Sequence, residues 1–249
     1  MEFVRVTREE GVATVVLSRG KVNALNEQLV DELKECFGAL EDDDTVRAAI
    51  LTGSGPFFSF GFDIPELFDR SREEFTRFLR KFTGLYAGLF VYPKPLIGAL
   101  NGHAVAGGCM LALTCDYRIV VAEKAKVSLN EIAIGSTVPA GSAHMLRFCT
   151  GDKNAQTILY SGALYSAVEA YERGLVEQVC AGADLEKEAR LAAERLAEKE
   201  PAAFRSIKRH LRAPFAEEMA KREEASIEEF VDVWCSEPTR KRLREVKIR

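Results

Sequence analysis

Short apolar segments with the character of β-strands alternate with amphipathic helices through the first half of the chain, and this alternation restricts the possible folds more than any other feature. The predicted strands are residues 3–7, 12–18, 48–52, 96–100 and 117–122, and the predicted helices are residues 27–40, 72–91 and a short one from residue 107 or 108 to 114. A helix between two strands allows those strands to run parallel. The pattern therefore predicts an α/β fold with a largely parallel sheet and helical cover.

The second half of the chain changes character and is almost wholly helical from residue 142 onward. Predicted helices cover residues 167–173, 185–199, 202–211 and 216–234, with one strand at residues 175–179. These helices carry charged faces, which is typical of elements that bury only one side. We therefore expect an α/β core at residues 1–190 and a C-terminal helical subdomain at residues 191–249 that packs on neighbours.

Composition argues against several classes of partner. The chain is 47% apolar and 29% charged without an apolar run of membrane-spanning length, so no membrane association is expected. Its net charge is -4 with basic residues scattered among acidic ones, which argues against nucleic acid. The six cysteines lie far apart, so neither a metal site nor a disulfide framework is expected. A start that goes straight into a strand pattern predicts a cytoplasmic protein.

Two glycine-containing bends follow strand-like segments, at residues 57–64 and 101–109. Glycine permits backbone conformations that expose amide groups, and a helix N-terminus directs unpaired N–H groups at an anion. Two such amides that converge would form an oxyanion hole. Each bend alone is weak support, because glycine after a strand is more often simply a turn.

Five segments, in order along the chain, together resemble the enoyl-CoA hydratase/isomerase family, whose members have the crotonase (ClpP/crotonase-like) fold. The matching segments are residues 22–26, 58–64, 101–103 with 107–109, 115–119 and 174–176. The resemblance implies a core of ββα units wound as a spiral, followed by a C-terminal helical subdomain used for trimerisation. It also implies an acyl-CoA substrate, a homotrimer or hexamer, and no metal or redox cofactor.

The same resemblance implies roles for individual residues. The backbone N–H groups of Phe62 and Gly107 correspond to the oxyanion hole for the thioester oxygen, with a larger side chain at Phe62 than the alanine often seen there. The implied substrate contacts are Lys21, Val22, Ala24, Phe60, Asp63, Ile64, Met110, Leu129 and Lys208. Among them, residues 21–24 and Phe60 are expected at the CoA adenine and pantetheine, and Lys208 at a CoA phosphate. Asp63 is also expected to cap a following helix.

Glu131 is the candidate catalytic residue. Family hydratases hold a water between two glutamates, but Met110 occupies the first position here, and a thioether cannot exchange a proton. The segment that ends in Leu129-Asn130-Glu131 resembles mitochondrial Δ3,Δ2-enoyl-CoA isomerases, which use one glutamate. The resemblance therefore implies an isomerase that moves a proton from C2 to C4. We expect apolar surroundings, including Met110 and Leu129, to raise the pKa of Glu131 toward neutrality.

Other functions of the same fold stay open at this point. Hydration, hydrolysis or decarboxylation of an acyl-CoA, and a CoA-binding scaffold without turnover, would all keep the pocket. His103 lies in a glycine-bounded bend, and His144 and His210 lie in helical segments without acidic partners, so structural roles are expected for all three. The Pro-Glu-Gly element of peroxisomal isomerases is replaced by Pro-Ala-Gly at residues 139–141.

Overall fold

The computed structural model describes residues 1–246 and contains two β-sheets and nine α-helices within that range. The strands are β1 (Val4–Glu9), β2 (Val12–Leu17), β3 (Ala48–Gly53), β4 (Phe57–Ser59), β5 (Leu96–Leu100), β6 (His103–Val105), β7 (Tyr117–Val121), β8 (Lys126–Ser128), β9 (Tyr165–Ser166) and β10 (Gln178–Cys180). The helices are α1 (Glu27–Asp42), α2 (Ile64–Phe68), α3 (Arg72–Phe90), α4 (Gly107–Thr114), α5 (Ala140–Ser161), α6 (Ala167–Glu172), α7 (Leu185–Ala197), α8 (Pro201–Cys235) and α9 (Glu237–Leu243).

The larger sheet has six strands in the order β1-β2-β3-β5-β7-β10. β1 and β2 form an antiparallel hairpin, and its turn residues Glu10 and Gly11 have φ values of 47° and 79°. Positive φ at both turn positions matches the twist of a two-residue hairpin. All the other neighbouring strands of this sheet pair in parallel. The predicted hairpin and the largely parallel sheet are therefore confirmed.

A second sheet of four strands, in the order β4-β6-β8-β9, was not predicted. Its strands are only two or three residues long, which is too short for a period of two to be recognised. β4 pairs in parallel with β6, and β6 pairs in parallel with β8. The bends predicted at residues 57–64 and 101–109 contain β4 and β6, and the residues that follow each strand leave the sheet side by side at one end.

Side chains cap the two long helices of the first half. Asn26 accepts a hydrogen bond from the N–H of Leu29 at 3.0 Å and is the N-cap of α1, as predicted. Ser71 and Glu74 form a capping box at the start of α3. The buried face of α3 carries the phenylalanine and leucine side chains that recur every three or four residues, and it packs against α1, α4 and α8.

The two helices predicted at residues 202–211 and 216–234 are one continuous helix, α8, which contains Pro214. A proline inside a helix costs about 3 kcal/mol or more. Beside it, Arg212 is buried and its guanidinium donates to backbone carbonyls of α3 and α4 at 2.7 Å. Tertiary contacts of this kind outweigh the local preference of proline, so the predicted break was wrong.

The strand predicted at residues 175–179 lies at Gln178–Cys180 instead. Gly174 has a φ of 75°, and the N–H of Leu175 donates to the carbonyl of Ala170 at 2.9 Å. These features keep the chain in the turn that ends α6, and pairing with β7 therefore begins later.

The C-terminal helices pack directly on the core. α7 contacts β3, β5 and β7, and α8 contacts α3 and α5. Residue 190, the predicted boundary, falls inside α7. The division into residues 1–190 and 191–249 stays a prediction. None of the described helices contains an apolar stretch long enough to cross a membrane.

Candidate active site

The bend after β4 is fixed by the backbone of Leu25. The N–H of Leu25 donates to the carbonyl of Gly61 at 2.7 Å, and the N–H of Asp63 donates to the carbonyl of Leu25 at 2.9 Å. These two bonds flank Phe62, whose own N–H donates to no acceptor within residues 1–246. The bend therefore presents a positioned amide with an unused donor.

A second unpaired amide lies at the start of α4. Ala106 precedes this helix with φ 51° and ψ -124°, a strained conformation for a residue with a Cβ, and it provides no side-chain cap. The N–H of Gly107 has no partner in the described part of the chain. A methyl group on Gly107 would lie 3.1 Å from the ring of Phe62, so the two bends touch. At Gly108 a methyl group would lie 2.2 Å from the carbonyl oxygen of Ser59, and only glycine allows this approach.

A cavity of about 140 Å³ is bounded by both amide-bearing residues. Its apolar walls include Phe60, Phe62, Ile64, Val105, Phe230 and Trp234. Polar side chains in the lining come from Asn130, Glu131 and Ser136, and Glu131 is the one ionisable group among the lining residues that the structure describes. The cavity therefore combines an apolar surface, two residues whose backbone N–H groups are unpaired, and a single carboxyl group.

Glu131 begins a short 3₁₀ helix, Glu131–Ile134, that follows β8. The residue is 5% exposed, and neither oxygen of its carboxyl group has a hydrogen-bond partner among the described residues. Burial without a compensating cation or donor disfavours the charged form, and it raises the pKa of Glu131 to about 8. The predicted rise in pKa is confirmed. At neutral pH the group is mainly a carboxylic acid, and once ionised it is a strong base for a carboxylate.

Five of the residues singled out from the sequence meet in this cavity, namely Phe60, Phe62, Ile64, Gly107 and Glu131. They come from the two bends, from the first turn of α2 and from the 3₁₀ helix. Because these segments leave neighbouring strands of the second sheet, that sheet brings together residues far apart in sequence.

Met110 and Leu129 do not line the cavity. Each is 1% exposed and belongs to the hydrophobic core. Both residues therefore have a role in packing, and their predicted contact with the substrate stays a prediction. Met110 nevertheless stands where family hydratases have their first glutamate, and it carries no ionisable group. The described lining residues accordingly include no second carboxylate near Glu131.

The segment before Leu25 was predicted to bind CoA. Lys21 is exposed, while Val22 and Ala24 are buried, and none of the three lines the cavity. Their contact with CoA stays a prediction.

Asp63 lies outside the cavity lining and fixes the start of α2. It accepts a hydrogen bond from the N–H of Glu66 at 3.1 Å as the N-cap of α2, and its carboxylate pairs with Arg19 at 2.6 Å. The predicted N-cap role is confirmed. Both carboxylate oxygens are engaged in fixing the bend, and Asp63 is not among the cavity-lining residues.

Lys208 was predicted to bind a CoA phosphate, and this stays a prediction, since its ammonium is engaged elsewhere in the structure. The residue is 5% exposed, its ammonium lies 2.7 Å from the carboxylate of Asp116, and it donates to the carbonyl of Lys94 at 3.3 Å. Arg212 contacts the same carboxylate at 3.0 Å. The ammonium is therefore part of a buried ionic cluster that joins α8 to the core.

Several residues of the cavity wall were not predicted from the sequence, among them Phe230, Trp234 and Ser136. Phe230 and Trp234 lie four residues apart on α8, and this spacing indicates one helix face but not the surface that the face covers. Ser136 follows the 3₁₀ helix, is 6% exposed, and its hydroxyl has no partner within residues 1–246. A single serine in a loop gives no sequence signal for such a position.

Comparison with known proteins places these features in a family. The sequence model described as enoyl-CoA hydratase/isomerase matches residues 7–244. The chain belongs to the enoyl-CoA hydratase/isomerase family. It is therefore an enzyme of a family that acts on acyl-CoA substrates. The resemblance of the sequence to the crotonases is confirmed.

Relatives of this enoyl-CoA hydratase/isomerase family member divide between two reactions. Enoyl-CoA delta isomerase 1, mitochondrial, of Mus musculus is 29% identical over 94% of this chain and 81% of its own length. Crotonyl-CoA hydratase of Syntrophomonas wolfei is 34% identical over 83% of this chain and 80% of its own length. The crystal structure of human mitochondrial Δ3-Δ2-enoyl-CoA isomerase matches with a TM-score of 0.94 at 29% identity, covering 98% of this chain and 96% of that one. Similarity therefore establishes the crotonase fold and the family, and the reaction has to be argued from the site.

Proposed function

We propose that the protein is a Δ3,Δ2-enoyl-CoA isomerase in which Glu131 carries a proton from C2 to C4 of a 3-enoyl thioester. One observation carries this proposal. Glu131 is the only ionisable lining group of the described cavity, it is buried without a partner, and burial raises its pKa to about 8. A reaction that both removes and returns one proton needs a single group of this kind.

The reaction balances with the groups in the cavity. The Glu131 carboxylate takes a proton from C2, and the electron pair of the broken C–H bond spreads over the conjugated system to the thioester oxygen. The amides of Phe62 and Gly107 are the proposed donors to that oxygen, and preorganised donors of this type stabilise a developing negative charge. The protonated Glu131 then gives the same proton to C4, which leaves a 2-enoyl thioester and the starting carboxylate.

The apolar walls support the same chemistry. Phe60, Phe62 and Ile64 surround the cavity with surface that cannot solvate a charge. An electrostatic interaction between the amides and the enolate oxygen is stronger where water is excluded. The acid form of Glu131 is also retained for longer in such surroundings, so the proton is returned to carbon rather than lost to solvent.

Hydration of a 2-enoyl thioester is the second candidate function, and one observation favours it. Ser136 and Glu131 both line this cavity, and their side-chain oxygens have no partner among the described residues. Two to four polar partners are enough to hold a water molecule. A water between these two groups would supply the nucleophile, although a serine hydroxyl is a poorer proton donor than a second glutamic acid.

Replacement of Glu131 by glutamine tests both candidates. The protein is incubated with 3-hexenoyl-CoA and with crotonyl-CoA, and conjugation of the double bond and addition of water are followed separately. We expect the wild type to conjugate 3-hexenoyl-CoA, and Glu131→Gln to lower this rate by at least about a hundredfold, since general acid–base catalysis contributes about 10²–10⁴-fold.

The control is Glu224→Gln, which removes an exposed carboxylate from α8 and keeps the wild-type rate. Isomerisation that survives Glu131→Gln contradicts the proposal. Hydration of crotonyl-CoA without conjugation of 3-hexenoyl-CoA favours the second candidate. Binding of CoA without either reaction favours a scaffold.

We also propose that Lys21, Val22, Ala24 and Phe60 contact the CoA moiety, and that the protein forms a homotrimer or hexamer. Large exposed apolar side chains support the oligomer, and their exposed fractions range from 45% to 73%: Ile132, Tyr160, Leu164, Val168 and Tyr171. Ile132 lies next to Gly162, which places it near Tyr160 and Leu164. Sedimentation equilibrium tests the proposal, and a monomeric mass at micromolar concentration contradicts it.

A further inference from the structure

The size of the cavity beside Glu131 bears on the acyl group that it accepts. The cavity measures about 140 Å³. An apolar protein cavity of about 150 Å³ accommodates one benzene molecule, which has six carbon atoms. The space available to an acyl chain is therefore small unless the walls can retract.

One wall is the side chain of Phe62, and it is held by three other rings. The Phe62 ring meets the rings of Phe78 and Phe82 edge to face, with centroids 5.0 Å apart in both cases. The ring of Phe230 lies 6.3 Å away. Interiors of proteins are close-packed, so rotation of Phe62 away from the cavity requires displacement of these neighbours.

A second wall is formed by Phe230 and Trp234 of α8. Their rings stack at 6.2 Å, and Trp234 also stacks on Phe75 of α3 at 4.5 Å. Both residues are nearly fully buried, with exposed fractions of 1% and 3%. Since α3 packs against α8 and the Phe62 ring lies beside that of Phe230, the two walls belong to one aromatic cluster, which consists of Phe62, Phe75, Phe78, Phe82, Phe230 and Trp234.

We infer that the site takes short acyl groups, of about six carbons or fewer, and that Phe62 and Trp234 set this limit. The inference rests on the proposed function only for the class of ligand, an acyl thioester. A longer chain meets aromatic rings that cannot move separately, so its additional methylene groups stay in water or force the cluster apart.

Binding of saturated acyl-CoA thioesters tests the limit without any turnover. Isothermal titration calorimetry of the full-length protein is carried out with butyryl-, hexanoyl-, octanoyl-, decanoyl- and dodecanoyl-CoA. Each methylene that enters an apolar site strengthens binding by about fourfold. We expect this gain up to about six carbons and none beyond, and continued strengthening from hexanoyl- to dodecanoyl-CoA overturns the inference.

Substitution of the walls tests the residues themselves. Phe62→Ala is expected to extend the gain in affinity to octanoyl- and decanoyl-CoA, by about tenfold or more for two further methylenes. Because loss of a buried ring can prevent folding, Phe62→Leu and Trp234→Phe are measured as well, and each is expected to move the limit in the same direction. If both fold and both keep the wild-type limit, these residues do not set it.

The matched control is Phe37→Leu. Phe37 is buried and packs on Tyr92 outside the aromatic cluster, so this variant should keep the limit at about six carbons. The result is also separable from the proposed reaction. A protein that fails to isomerise 3-hexenoyl-CoA but shows the chain-length limit refutes the reaction and retains the inference.

Discussion

Replacing Glu131 by glutamine changes how the free energy of unfolding depends on pH. In the folded protein burial raises the pKa of this carboxyl group to about 8, whereas its ordinary value is 4.5. Between these two values the unfolded chain has released a proton that the folded protein still holds. Stability therefore falls as pH rises, because proton release drives unfolding.

The size of this change in stability follows from the difference between the two pKa values of Glu131. Each pH unit is worth 1.36 kcal/mol of stability for one proton, so the interval from 4.5 to about 8 corresponds to about 5 kcal/mol. The full stability is present below pH 4.5 and the loss is complete above about pH 8. Glutamine has a similar size and no such proton. The free energy of unfolding of Glu131→Gln should therefore rise relative to that of the wild type by about 1.4 kcal/mol for each pH unit in this window.

Urea unfolding of both proteins at half-unit steps from pH 5 to 8 measures the difference, with the protomer concentration held constant in case of assembly. Glu224→Gln serves as the control, because its exposed carboxylate is ionised throughout this range and the pKa of Glu224 is lowered by its hydrogen bond to Arg80. A difference between wild type and Glu131→Gln that stays constant from pH 5 to 8 refutes the reasoning.

Four further outcomes are expected. Ser136→Ala removes a buried hydroxyl without a partner and should leave the free energy of unfolding unchanged or raise it by about 1 kcal/mol. Ser142→Ala removes a 2.7 Å hydrogen bond and should lower the free energy of unfolding by about 1 kcal/mol, so equal losses of stability in urea unfolding contradict this reasoning. Gly108→Ala puts a methyl group 2.2 Å from a carbonyl of β4, so stability should fall by about 1–3 kcal/mol together with kcat/KM; an unchanged Tm and rate contradict it. Lys208→Met leaves Asp116 incompletely compensated and should lower the free energy of unfolding by about 3 kcal/mol, with calorimetric affinity for hexanoyl-CoA unchanged; weaker binding at unchanged stability would instead support the predicted contact with CoA. Because the ionised form of Glu131 removes the proton, kcat/KM for 3-hexenoyl-CoA should rise about tenfold per pH unit and level off above about 8, and a flat profile from pH 6 to 9 contradicts this.

Elements with strong local signals could be predicted from the sequence. The N-cap at Asn26 and the regular spacing along α3 define helices through hydrogen bonds and side chains within a few residues of each other. β3 and β5 are buried on both faces and consist of apolar residues that favour strands. Information of this kind is local, and therefore a single sequence contains it.

Features that depend on distant parts of the chain could not be predicted in the same way. β4 and β6 are three residues long and exist because they pair with each other. α8 continues through Pro214 because the core binds the side chain of Arg212 on the preceding turn. The motif resemblance identified Glu131, Phe62 and Gly107, whereas the walls contributed by α8 required the packing of α8 against α3.

The burial of Glu131 links the stability of the fold to the chemistry proposed for it. A carboxyl group with two unpaired oxygens in an apolar cavity is a cost to the folded state at neutral pH, and a polar partner would remove that cost. Such a partner would also lower the pKa of Glu131 and weaken the carboxylate as a base. The absence of a partner within residues 1–246 is thus a liability for stability and an advantage for proton transfer. Both consequences have one physical cause, desolvation, so a substitution that gives Glu131 a hydrogen-bond donor should stabilise the protein at neutral pH and lower the kcat/KM reached above about pH 8, where the wild-type group is ionised.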